Sequence, residues 1–184
     1  MKLKRLLIFI FILFICLTLT SSFLLNTENN KKTESKEVVL KIGDDLSSPI
    51  SLQMYNIIEK KSIDYNIPRY ILYNVAYLET GYRGPFHSDY NPYRTSSAGA
   101  EGAMQIITRF AQDHTDSIVS AKDLRYNIEL NINVSCSMLS RLYNRYKSWD
   151  VVLGYYNTGY PQINSYAIYA SNTKNYKSKW ISTF

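Results

Sequence analysis

The stretch Pro68–Gly81, PRYILYNVAYLETG, decides the fold. Leu72, Val75, Ala76 and Glu79 fall at i, i+3, i+4 and i+7, the spacing of one face of an α-helix. Pro68 suits the first position, where a helix needs no N–H, and Gly81 supplies the stop. The same period recurs on both sides. Upstream, Ser51–Tyr65 carries Leu52, Tyr55 and Ile58, with Ile63 less regular. Downstream, a loop over residues 82–100 is rich in Gly, Pro, Asn and Ser. Glu101–His114 reads as a third helix with Met104, Ile107 and Ala111 on one side. Tyr126–Lys147 is the longest, striped by Ile128, Ile132, Ser135, Leu139, Leu142 and Tyr146. A fifth runs from Trp149 to Tyr156 and stops at Asn157-Thr158-Gly159, and Gln162–Ala170 offers a sixth. No segment alternates as a strand does. The expected fold is all-α, a compact domain of five to six helices.

Among the four glutamates of this domain, Glu79 stands apart. Glu59 is followed by Lys60 and Lys61 and reads as solvated; Glu129 lies off its helix's stripe. Glu101, at the start of the expected third helix, fits the dipole there as a structural anion. Glu79 shares a face with Leu72, Val75 and Ala76 and sits in the last turn of its helix. Apolar surroundings and the negative end of the dipole both favour the protonated form. A carboxylic acid that keeps its proton near neutral pH is what glycosidic cleavage requires, because the leaving oxygen must be protonated. The competing reading is a helix-end glutamate that reaches solvent.

Residues 1–25 form a separate segment. Lys2, Lys4 and Arg5 precede 20 uncharged residues, Leu6–Leu25 (LLIFIFILFICLTLTSSFLL). That length spans a bilayer as a helix, and the basic start predicts that the rest of the chain is exported. The segment is either a signal peptide or an uncleaved anchor in contact with the membrane. Residues 26–48, with alternating Lys and Glu and no aromatic ring, read as a flexible polar tether, and 49–184 as the folded domain. The chain of 184 residues carries a net charge of +6 without any Lys/Arg-rich run, so nucleic acid is not an expected partner. One of its two cysteines, Cys16, lies in the apolar segment, leaving no pair in the domain. His87 and His114 are too far apart in sequence for a zinc motif. No cofactor is expected. The 17 tyrosines reflect either compositional bias or a groove lined with rings for stacking on sugars.

Read together, four motifs carry a resemblance. Glu79-Thr80-Gly81-Tyr82 resembles the E-S-G-F signature of lytic transglycosylases of the soluble, goose-lysozyme-like type. Ser96–Gln105, SSAGAEGAMQ, is similar to the family's S-x-x-G-A-x-G-L-M-Q segment. Asp123 with Asn127-Ile128 resembles its D-P-x-x-N-I, and Tyr156-Asn157-Thr158-Gly159 its A-Y-N-A-G. Order and approximate spacing agree from about Ile57 to Tyr166. The resemblance implies that Glu79 is the catalytic acid/base. It implies that Ser96 contacts the catalytic carboxyl or the substrate's acetamido group, and that Gln105, Tyr156 and Asn157 bind sugar and hold the carboxyl. Without the resemblance, Tyr156 reads as a core ring and Asn157 as a helix cap. The sequence departs from the pattern in three ways. The loop between Glu79 and Ser96 is longer than usual, Thr108 replaces a proline, and Ala103 replaces a leucine. Within the long loop, Tyr90, Tyr93 and Arg94 either extend the groove or fold over the surface.

No second acid occupies a matched position, although most glycosidases use two carboxyls. The resemblance therefore implies cleavage of the MurNAc–GlcNAc bond of peptidoglycan glycan strands with closure of a 1,6-anhydro ring. The rivals are a lysozyme-type muramidase using water and a non-catalytic wall-binding assembly protein. The location expected is extracytoplasmic, in periplasm or cell wall. By analogy, the process served is local wall opening for a secretion, conjugation or phage apparatus.

Overall fold

The computed structural model describes residues 48–175. The apolar segment over residues 1–25 and the tether lie outside the described residues, apart from the tether's last position, Ser48. Within them no helix is long and apolar enough to cross a membrane.

Among the described residues seven α-helices follow one another: α1 (Ile50–Asp64), α2 (Arg69–Thr80), α3 (Thr108–Ala111), α4 (Ala121–Tyr126), α5 (Ile128–Tyr146), α6 (Trp149–Thr158) and α7 (Ser165–Ser171). A two-stranded antiparallel ribbon, β1 (Ala100–Glu101) with β2 (Ile106–Ile107), precedes α3, and a 3₁₀ turn (Gln112–His114) follows it. The mainly helical architecture is the expected one and is compatible with an all-α lysozyme-like domain. The helices expected around residues 51–65, 68–80, 126–147, 149–156 and 162–170 all form, with shifts of up to three residues at their ends.

The core follows the predicted stripes. Leu72, Val75 and Ala76 of α2 pack with Met54 and Ile58 of α1, Ile132 and Leu139 of α5, and Val152 and Leu153 of α6, all fully buried. Gly81, at φ 75°, caps α2 in the left-handed conformation, and its N–H and that of Tyr82 bond the carbonyls of Tyr77 and Ala76. Buried Asn74 clamps α7 to α2: its Nδ2 donates to the carbonyls of Ala170 (3.0 Å) and Asn172 (3.1 Å).

The expected helix over Glu101–His114 is wrong for its first seven residues. These form the ribbon and its connecting turn, and only Thr108–Ala111 is α-helical. Two backbone positions decide this: Gly102 (φ 75°) and Gln105 (φ 51°) are left-handed, which a right-handed helix excludes. A side chain at Gly102 would collide with the Leu124 carbonyl and the Asn131 amide. The turn is held by α5. Asn131, fully buried, accepts from Met104 N–H (2.7 Å) and donates to the carbonyls of Glu101 (2.8 Å) and Leu124 (3.0 Å). Two backbone groups of the ribbon and its turn, and one carbonyl of the helix over Ala121–Tyr126, are thereby satisfied.

Glu101 is accordingly not a helix-start anion. It is buried in β1, where Arg125 grips it through two hydrogen bonds (2.7 and 2.9 Å) and Thr95 Oγ1 donates a third (2.8 Å). The Arg125 contact holds its carboxyl below the ordinary range. The helix α4 was not expected either. Ser120 and Asp123 start it with reciprocal side-chain-to-backbone bonds, a capping box.

Candidate active site

Glu79 sits one turn beyond Val75 and Ala76, on the face the spacing predicts, with its carboxyl partly withdrawn from water. Burial raises its pKa above the ordinary 4.5. One hydrogen bond opposes that shift: Tyr166 Oη donates to Glu79 Oε1 at 2.7 Å. No other charge contributes to the shift of Glu79 among the described residues. The result is a lone carboxyl, biased toward its acid form, with one neutral donor ready to stabilise its anion.

Tyr166 reaches Glu79 from α7, 87 residues along the chain. The clamp from Asn74 to the end of α7 seats that helix against α2. Burial pushes the Tyr166 hydroxyl far above its ordinary value, and the nearby Glu79 charge adds to the shift, so this group donates and does not ionise.

Tyr156, on α6, belongs to the same cluster. Its own pKa is raised first by burial and then by the charge of Glu79. Its hydroxyl donates to the Met104 carbonyl (2.7 Å) and lies 3.0 Å from Ser135 Oγ. On the other side, Thr80 Oγ1 donates to the Ala103 carbonyl (2.9 Å) and meets Tyr90 Oη at 2.8 Å. Successive carbonyls of the 102–105 turn are thus tied to α6 and to the residue after Glu79. The turn is fixed relative to the carboxyl from both sides.

The other residues singled out from sequence do not hydrogen-bond Glu79. Gln105, half-buried, turns its Nε2 to the carbonyls of Gly102 (2.9 Å) and Arg94 (3.3 Å), bracing the turn against the preceding loop. Ser96 Oγ accepts from Ala100 N–H (3.0 Å) and closes the 96–100 loop. Asn157 is exposed near the end of α6, where its Oδ1 accepts from Asn164 Nδ2 (3.1 Å). Asn164 in turn caps α7 through Ala167 N–H. Asn157 thus links the end of α6 to the start of the helix that carries Tyr166.

Sequence reasoning missed Tyr166, Asn131 and Asn74 as organisers of this region. For Asn131 a signal existed: it stands three residues after Ile128 and four before Ser135, a polar residue on the apolar stripe, by the same criterion that singles out Glu79. The tyrosines are explained by neither earlier reading alone. Tyr73 stacks on Tyr82 in the core (centroids 6.1 Å apart) and Tyr82 meets Tyr90 edge-on (4.9 Å), while their hydroxyls tie Glu59, the Ser51 carbonyl and Thr80.

A mainly helical domain with a partly buried carboxyl at Glu79 is compatible with the lysozyme-like class. The family model for the transglycosylase SLT domain matches residues 56–179, about two thirds of the chain, and the chain belongs to this family. No curated protein and no solved structure matches it. Membership supports an enzyme of the lytic transglycosylase type acting on peptidoglycan.

Proposed function

We propose that the protein is a lytic transglycosylase that cleaves the β-1,4 bond between N-acetylmuramic acid and N-acetylglucosamine, with Glu79 as its one acid/base. The observation that carries this is the state of Glu79: its pKa is raised by burial, it is hydrogen-bonded by a neutral tyrosine, and no charge among the described residues contributes to its shift. In the first half, Glu79 gives its proton to the glycosidic oxygen and the C1–O4 bond breaks. The positive charge left at C1 is carried by the ring oxygen or by the muramic 2-acetamido oxygen. In the second half, ionised Glu79 takes the proton of the muramic 6-hydroxyl as O6 bonds C1. The 1,6-anhydro ring closes and Glu79 is again protonated, with no water consumed. Tyr166 donates to Glu79 throughout, and its bond matters most while the carboxylate is charged. Ser96, Gln105, Tyr156 and Asn157 remain candidate substrate-binding residues. Their observed bonds suit residues that shape the groove walls around Glu79. Export by residues 1–25 would bring the domain to the wall, where local opening for a secretion, conjugation or phage apparatus is the process we infer.

Digestion of purified peptidoglycan followed by mass spectrometry tests the reaction. Released fragments should end in 1,6-anhydro-muramic acid. Ends that borohydride reduces would identify water as the acceptor and make the enzyme a muramidase.

A further inference from the structure

The loop over residues 83–95, the stretch longer than the family pattern, sends one ring into the core: Tyr90 is 7% exposed. The ring is held from several directions. It meets Tyr82 edge-on at 4.9 Å and lies 5.4 Å from the imidazole of His87, and the Tyr90 N–H donates to the His87 carbonyl (3.2 Å). Tyr82 is itself tied to α1 through the Ser51 carbonyl. The hydroxyl of Tyr90 is thereby aimed at Thr80 Oγ1, 2.8 Å away, in the residue that follows Glu79. Burial pushes this hydroxyl well above the ordinary phenol range, so it keeps its proton.

Counting protons fixes the direction of the bond. Thr80 Oγ1 touches three oxygens: Tyr90 Oη, the Ala103 carbonyl (2.9 Å) and the Ala76 carbonyl (3.1 Å). Carbonyls only accept, and Thr80 has a single proton. Given to Tyr90, that proton would leave both carbonyls facing a lone pair and the tyrosine's own proton without an acceptor. Tyr90 therefore donates to Thr80, and Thr80 donates onward. The Ala76 carbonyl already accepts from Tyr82 N–H, whereas Thr80 is the one donor to the Ala103 carbonyl among the described residues. The chain thus runs from Tyr90 through Thr80 to Ala103, and donation at its start strengthens the bond at its end. It joins the loop, the last turn of α2 and the 102–105 turn. The loop grips that turn at a second point, where the Arg94 carbonyl accepts from Gly102 N–H (2.9 Å).

We propose that Tyr90 is a positioning residue for Glu79, holding the end of α2 and the 102–105 turn in register through Thr80. The proposal rests on reading Glu79 as the acid. The Tyr90 hydroxyl is bonded inside the domain, so its effect falls on the alignment of the carboxyl with the bond it protonates and not on substrate binding.

The test compares the full chain with Tyr90→Phe, which keeps the ring and removes only the donor. On purified peptidoglycan, kcat per folded molecule should fall about tenfold, the equivalent of one hydrogen bond, while KM stays within about twofold. Thr80→Val breaks the chain at its middle. Adding Tyr90→Phe to it should lower kcat by less than about twofold more, because both changes remove the same chain. Amide hydrogen exchange reads the brace without turnover. At Gly102 and Gln105 it should run about tenfold faster in Tyr90→Phe, while the amides around Leu139 of α5 keep parental rates. Parental kcat in folded Tyr90→Phe, a rise in KM alone, or losses that multiply in the double variant would overturn the proposal, as would unchanged exchange at both amides. Failure of the parent to cleave peptidoglycan would count against the cleavage reading alone, and the exchange rates would still decide whether Tyr90 holds the turn.

Discussion

At Glu79 two influences oppose each other: burial raises the pKa and the Tyr166 hydrogen bond lowers it. Tyr166→Phe removes only the second, so Glu79 should become a weaker acid. In the proposed reaction the acid form is the one that starts cleavage, and it is lost as pH rises through the pKa in the folded state. The alkaline limb of the kcat profile should therefore move to higher pH in Tyr166→Phe, while the maximal rate falls by about tenfold, one hydrogen bond to a developing charge. A limb that stays put or moves down would show that Tyr166 does not act on the carboxyl. Glu79 itself was legible from spacing, because a carboxyl on an apolar stripe is a local anomaly. Tyr166 was not, since nothing within α7 tells that its hydroxyl meets a residue 87 positions earlier. Gln105 and Asn157 were legible as residues but not in their contacts, which run to backbone and to a neighbouring cap and not to the carboxyl.

The long helices could be read because their stripes repeat over several turns and glycines or prolines end them. The ribbon over residues 100–107 could not. Met104, Ile107 and Ala111 keep helical spacing, and the forces that break the helix come from elsewhere in the chain: the left-handed Gly102 and Gln105, and Asn131 on α5. Two-residue strands also give no alternation to detect. Asn131→Ala would leave one N–H and two carbonyls of this region without their partner. At roughly 1–3 kcal/mol for each buried group left unsatisfied, partly offset by relaxation, the variant should lose about 2–4 kcal/mol of stability. Urea unfolding measures it, with a lower midpoint at unchanged slope. Because the turn carries the carbonyls tied to Thr80 and Tyr156, specific activity of the folded fraction should fall as well. A loss under about 0.5 kcal/mol, the range of ordinary surface changes, would mean that the turn holds itself.

In the proposed mechanism, α2 supplies the acid and α6 and the 102–105 turn the walls; Tyr166 of α7 donates to Glu79, and α5 braces the turn from behind. The wall-facing role also needs the domain outside the cytoplasm, which rests on Lys2–Leu25 alone. An alkaline phosphatase fused after Phe184 should be active, and an inactive fusion at equal expression would overturn export. The central claim is that one carboxyl performs both proton transfers, and Glu79→Gln tests it most directly. Gln keeps the shape and can still accept from Tyr166 but has no proton to transfer. Since burial raises the pKa of Glu79 above 4.5, the folded parent loses stability as pH climbs from 4.5 through that raised value. The variant has nothing to titrate, so it should match the parent below that window and melt no lower than the parent at neutral pH. The measurement is the rate of fragment release from purified peptidoglycan at neutral pH, with folding checked by the melting curve. The account predicts a fall of roughly a hundredfold to ten-thousandfold, the contribution of a general acid. Release at near-parental rate by a fully folded Glu79→Gln protein would contradict it.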